Sequence, residues 1–216
     1  MRRTLLPALV GALLLGAVPQ AALAREPAPV ASHPLESSDR AVIAHRDGIV
    51  RALELRPGIA VADVGAGTGA FMEPIARAVG PTGRYLAVDV DPEMVAILAA
   101  RARRLGLPQV RVVHSRRHDV RLAPASVDLV VVIDTYHHFD PVAPMNRSLF
   151  RALKPGGRLV VVDFDRRPDS PEWVKDHVRA DRATFVREIE AAGFRHEADL
   201  KVPGLHGHFI ARFLRP

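Results

Sequence analysis

The chain has 216 residues, 48% of them apolar and only 5% aromatic, with a formal charge of +6 and no cysteine. That length and apolarity fit one domain with a single large core, filled mainly by aliphatic side chains, and exclude a disordered chain. The lack of cysteine excludes disulfides, thiolate metal sites and a cysteine nucleophile, and the short arginine clusters form no basic stripe with interleaved aromatics, so no nucleic-acid partner is expected.

Residues 1–24, MRRTLLPALVGALLLGAVPQAALA, have the three-part layout of a secretory signal. Arg2 and Arg3 give a charged start, Leu5 to Val18 is apolar, and Ala22-Leu23-Ala24 is a small-x-small cleavage site. The apolar run is short for a spanning helix, so no stable membrane span is expected after cleavage. A periplasmic or secreted domain follows, or a cytoplasmic one if the start codon is misassigned. The arginine pair also loosely resembles a twin-arginine signal, whose pathway exports folded proteins. Residues 25–38, REPAPVASHPLESS, read as a flexible Pro/Ala-rich linker, which leaves 39–216 as the domain.

Ser37, Ser38 and Asp39 offer an N-cap for a helix over about 39–55, with Gly58 past its end. Strand-length apolar runs then alternate with helical patterns. Strands are predicted at 59–64, 84–90, 110–114, 127–134 and 158–164. Helices are predicted at 69–79, at 92–105 with Asp91 as cap and Pro92 in the first turn, and at about 142–153. Asp181 caps a last helix ending at Ala192, and strands at 195–202 and 207–214 close the chain. Alternation of this kind implies a parallel sheet covered on both faces, a Rossmann-like, doubly wound α/β fold. The runs VVVI (130–133) and LVVV (159–162) suit strands buried on both sides. The connection Pro203 to His206 is too short for a crossover helix, so the last two strands are antiparallel.

Between the first strand and its helix stands VADVGAGTG (61–69). Its glycines permit a sharp turn and close approach to a ligand, and the helix after it offers free N–H groups. Asp89 ends the second strand, where a carboxylate can accept both hydroxyls of a ribose. GAGTGA also satisfies the dinucleotide fingerprint, which leaves an NAD-linked oxidoreductase as an alternative. Asp63 argues against it. Two residues before the first glycine, its carboxylate would meet an ammonium well and repel a pyrophosphate.

VADVGAGTG resembles the first motif of the class I S-adenosylmethionine-dependent methyltransferases. YLAVDVDPEM (85–94) is similar to their second motif, SVDLVVVIDTYHHF (126–139) to the fourth-strand motif, and LKPGGRLVVVDF (153–164) to the fifth-strand motif. IEAAGF (189–194) resembles the lead into their last two strands. The resemblance implies a seven-stranded, mostly parallel sheet with an antiparallel C-terminal strand, and S-adenosylmethionine as cofactor. Asp63 and the loop Gly65, Ala66, Gly67 and Thr68 would hold the methionine part, with Gly69 allowing close packing. Asp89 would bind the ribose, Val90 would lie beside the adenine, and Asp119 would meet the adenine amine. Asp134 and Thr135 would line the methyl-transfer pocket.

Methyl transfer needs alignment and water exclusion, and a general base only where the acceptor must lose a proton. His137 and His138, after the fourth strand, are the candidates for that base. Tyr136 and Phe139 are expected in core or lid packing. His45, Arg46 and Asp47 lie where similar enzymes fold a lid over the cofactor. His137-His138-x-Asp140 and His206-x-His208 are the clusters with metal-binding character. Neither has a third ligand nearby in sequence, so no metal site is expected. The acceptor is expected to be a small molecule. An exported accessory protein that keeps the fold without turnover is the other class of reading, since S-adenosylmethionine is made in the cytosol.

Overall fold

The computed structural model describes residues 33–216. The expected signal, and residues 25–32 of the expected linker, lie outside the described residues. The strands are β1 (Ala60–Val64), β2 (Arg84–Asp89), β3 (Val110–His114), β4 (Val127–Ile133), β5 (Leu153–Phe164), β6 (Arg195–Leu200) and β7 (His208–Leu214). They form one sheet in the order β3-β2-β1-β4-β5-β7-β6. β7 runs antiparallel to both β5 and β6, and the other pairs are parallel. The helices are α1 (Ala41–Ala44), α2 (Arg46–Ala52), α3 (Met72–Val79), α4 (Pro92–Arg104), α5 (Val142–Ala152), α6 (Glu172–His177) and α7 (Arg182–Glu190).

Strand periodicity sorts the core into two layers. On β1, Ala60, Ala62 and Val64 join the layer beneath α5 and α7, with Val130, Val132, Leu149 and Phe185. Val61 joins the opposite layer beneath α2, α3 and α4, with Ile49, Ile75, Leu98 and Val131. Both faces of β4 are therefore covered, and Leu129 through Ile133 are all buried. Each such aliphatic side chain contributes about 1.5–3 kcal/mol over leaving it in water.

Three differences from expectation have local causes. The helix over 39–55 is two pieces, because His45 leaves helical geometry at φ −108°, ψ 17° and turns its Nδ1 to the Ala41 carbonyl at 2.9 Å. α1 starts after Arg40 with no side-chain cap, and Ser37 Oγ accepts instead from the Asp39 N–H at 3.2 Å. β5 begins at Leu153 rather than 158, since Leu153 pairs with Val127 across an irregularity in register. The short helix α6, behind Pro171, had no periodic signal.

The linker expectation fails at its end. Residues 34–36 form one 3-10 turn. Glu36 Oε1 accepts from Thr68 Oγ1 and from Arg101 Nη1, each at 2.5 Å. A Pro/Ala-rich composition gave no sign of that anchoring, which depends on partners 32 and 65 residues away.

Candidate functional site

Strand order reverses between β1 and β4, and in open α/β sheets a crevice forms at the carboxyl ends of the strands at such a point. Here it is a cavity of about 450 Å³, within the range of small-ligand sites. Its floor is Asp63 to Thr68, its sides are Asp89, Val90 and Met94 opposite Ile133, Asp134 and Thr135, and Leu35, Arg40, Val42 and Ile43 close over it.

The register explains the loop. β1 pairs with β2 through Val64 and Val88, and the N–H groups of Gly65 and Ala66 then both reach the Val88 carbonyl, at 2.8 and 3.1 Å. The chain can fold back so tightly because Gly65 has φ +76°, and a Cβ there would lie 2.1 Å from Thr135 Cγ2. Gly69 does not line the cavity. A Cβ on it would lie 2.9 Å from Leu98 and 3.2 Å from Met72.

Asp63 is 3% exposed. Its one hydrogen-bond partner among the described residues is the Tyr85 hydroxyl, which donates at 2.5 Å. Burial pushes its carboxyl up from 3.8 to about 6, the Tyr85 hydrogen bond works against that, and the charge of Asp89 adds to it. A buried carboxylate facing a cavity with no cation beside it is costly unless a ligand supplies one. Asp89, one strand over, is held by backbone: its Oδ2 accepts from Gly67 N–H at 2.8 Å and its Oδ1 from Asp91 N–H at 3.0 Å. A carboxylate has about four acceptor positions, so room for a diol is left.

Asp134 and Thr135 line the cavity. Asp134 sits at φ +46°, a conformation an aspartate tolerates better than most residues. Its side chain, 4% exposed, pairs with Arg40 at 2.9 Å and His208 at 3.0 Å. Burial opposes charge on His208, but the hydrogen bond and charge of Asp134 outweigh it and raise the imidazole above its usual range. Its Nδ1 lies 3.3 Å from the His206 carbonyl, so its contact with that residue is to backbone.

Asp119 is corrected. It does not line the cavity; its carboxylate accepts from Arg121 N–H at 2.7 Å, Ser148 Oγ at 3.1 Å and Arg151 Nη2 at 3.0 Å. Those donors hold it against α5, and Ser115 and Arg117 of the same loop face the cavity instead. The two histidines separate. His138 lines the cavity, with burial, and then His137 and His177, holding its imidazole below the usual range. His137 is corrected: it is buried and does not line the cavity. Its Nδ1 donates to Asp163 Oδ1 at 2.7 Å, and its Nε2 lies 3.1 Å from His177 Nε2.

Tyr136 is fully buried core, its hydroxyl accepting from Asn146 Nδ2 at 2.7 Å, whereas Phe139 lines the cavity. His45, Arg46 and Asp47 border a separate groove, and it is Arg40, Val42 and Ile43 that cover the site. Leu35, Glu36, Ser115, Arg117 and His177 carried no motif and were missed. Only Glu36, the one acid between Glu26 and Asp39, could have drawn attention.

Residues 61–157 match the methyltransferase domain family Methyltransf_25. The chain is 31% identical over 113 residues to the ubiquinone/menaquinone biosynthesis C-methyltransferase UbiE of Pasteurella multocida, covering 52% of this chain and 42% of that protein. It is 29% identical over 151 residues to the nocamycin O-methyltransferase of Saccharothrix syringae, covering 70% and 54%. The chain spans about half the length of the curated relatives it matches. A SAM dependent methyltransferase from Aquifex aeolicus superposes with a TM-score of 0.72 at 25% identity, covering 84% of this chain and 95% of that one. The family match opens inside β1 and runs into β5, through every segment that builds the floor and sides of the cavity. Residues 61–157 belong to the methyltransferase domain family, and the chain shares the fold of a SAM dependent methyltransferase.

Proposed function

We propose that the protein transfers a methyl group from S-adenosylmethionine to a small-molecule acceptor by in-line displacement in this cavity. The observation that carries the reading is Asp63: a buried carboxylate, raised to about 6, lines the cavity with no ion pair of its own among the described residues. An α-ammonium would supply the missing charge. Asp89 takes the ribose hydroxyls on acceptor positions not used by Gly67 and Asp91, and Val90 and Met94 offer apolar surface beside it. The donor's sulfonium supplies an activated methyl group, so the chain's own task is to orient and to exclude water. Leu35, Val42, Ile43 and Phe139 perform the exclusion, and Thr135 and His138 flank the remaining space. The names of the two curated relatives, one of quinone biosynthesis and one of nocamycin, support a small acceptor.

Calorimetric titration of the purified chain tests this. S-adenosylmethionine is expected to bind, and Asp89→Ala to weaken it more than tenfold, which is about 1.4 kcal/mol. No binding by the wild type, or tighter binding of NAD, refutes it. Export through residues 1–24 is part of the same proposal and rests on their three-part pattern. Sequencing of the native N-terminus is expected to begin at Arg25.

A further inference from the structure

His137 and His138 lie in a single 3-10 turn after β4, and His177 ends α6, 40 residues later. The fold brings all three rings together. Their centroids lie 4.0 Å apart for His137 and His138, 4.8 Å for His137 and His177, and 5.0 Å for His138 and His177. One ligand nitrogen of each lies within 4.8 Å of the others. His137 is buried, while the other two are exposed.

The arrangement behind His137 is specific. Asp163 is fully buried on β5. Its Oδ1 accepts from His137 Nδ1 at 2.7 Å and its Oδ2 from the His137 backbone N–H at 3.1 Å. The Nδ1 therefore carries the proton, and the Nε2 lone pair is aimed at His177. A carboxylate holding the remote nitrogen is the usual support of a metal-bound histidine. A simple hydrogen bond from His177 to His137 accounts for that pair, but not for the third ring beside it.

We propose that His137, His138 and His177 form a three-histidine site for a divalent transition metal of the zinc class. Imidazole ligands without a carboxylate among them suit zinc and exclude magnesium and calcium, which take oxygen. Zinc–nitrogen bonds of about 2.1 Å in a tetrahedron set their nitrogens about 3.4 Å apart. The separation of His137 and His177, 3.1 Å, is already close to that. The exposed side chains of His138 and His177 close the remainder by side-chain rotation. Three protein ligands leave a fourth position for water. His138 also lines the main cavity. On the reading of that cavity as the methyl-transfer site, the fourth position is open to an oxygen of the acceptor, and the His138 lone pair serves the metal rather than a proton.

The test uses the full, untagged chain, stripped with a chelator and dialysed against Zn²⁺. One equivalent per chain is expected by mass spectrometry, and Co²⁺ in its place is expected to give the intense visible spectrum of a tetrahedral site. His177→Ala, at an exposed helix end, is expected to retain the fold by circular dichroism, to lose that spectrum and to weaken zinc at least tenfold. Asp163→Asn is expected to weaken it by about 10–100-fold, and the exposed His206→Ala to leave it unchanged. Loss of zinc from the wild type on dialysis, or equal binding by wild type and His177→Ala, overturns the proposal. S-adenosylmethionine affinity measured in chelator is a separate readout: a chain that binds the donor but fails to bind zinc loses only the metal site, and one that binds zinc but not the donor loses only the donor reading.

Discussion

Replacing Asp63 with asparagine separates what the buried charge costs the fold from what it gives the ligand. Burial raises the carboxyl from 3.8 to about 6, which corresponds to roughly 3 kcal/mol against the ionised form. The folded value lies above the unfolded one. The stability linked to Asp63 is therefore present below about pH 4 and is lost as pH rises through about 6. At pH 7.5 without ligand, Asp63→Asn is expected to melt no lower than the wild type, and by this reasoning up to about 3 kcal/mol more stably, while still accepting from Tyr85. Ligand affinity should move the other way. A cation that needs ionised Asp63 binds the wild type about tenfold more weakly at pH 5 than at pH 7, from a group titrating near 6. Calorimetry with S-adenosylhomocysteine, which keeps the ammonium and lacks the sulfonium charge, reads this directly. Because His138 and His208 also titrate abnormally, the asparagine variant is the control: it should bind more weakly at pH 7 and lose most of the pH dependence. Equal affinity of variant and wild type at pH 7, or a flat wild-type profile from 5 to 7, refutes the pairing of Asp63 with an ammonium.

Gly65→Ala places a Cβ 2.1 Å from Thr135 Cγ2 at φ +76°. It should cost about 2–4 kcal/mol in denaturant unfolding and abolish donor binding, and Thr135→Ala in the same chain should restore only part of the stability. Glu36→Ala strips Arg101 and Thr68 of a shared acceptor, in an ion pair whose side chains are each 12% exposed. A loss of about 1–3 kcal/mol in stability is expected, with a larger relative loss of donor affinity, read by thermal shift with and without S-adenosylmethionine.

The sheet was legible because its signals are local. Unbroken aliphatic runs at 130–133 and 159–162 mark strands covered on both faces, and Asp91-Pro92 marks a helix start by capping and φ alone. The floor of the site was legible for the same reason, since Asp63, Gly65 and Gly67 fall within five residues of one strand-to-helix turn. Residues whose role depends on a distant partner were not. Asp119 has the composition of a loop acid, and only packing against Ser148 and Arg151 turns it from the cavity. His137 and His138 are neighbours in sequence, yet the 3-10 turn sends one to Asp163 and leaves the other at the cavity wall. His177 joins them through a helix too short to leave a periodic trace.

The turn at 34–36 matters for anyone cutting the chain. Composition invites a boundary at residue 39, where linker seems to give way to domain. A protein trimmed there would still contain every strand and every motif, but Leu35 would be missing from the ceiling and Glu36 from the latch on Thr68 and Arg101. Poor donor binding by such a truncated version would report the missing ceiling rather than a lost activity, and a start at or before His33 avoids that confusion.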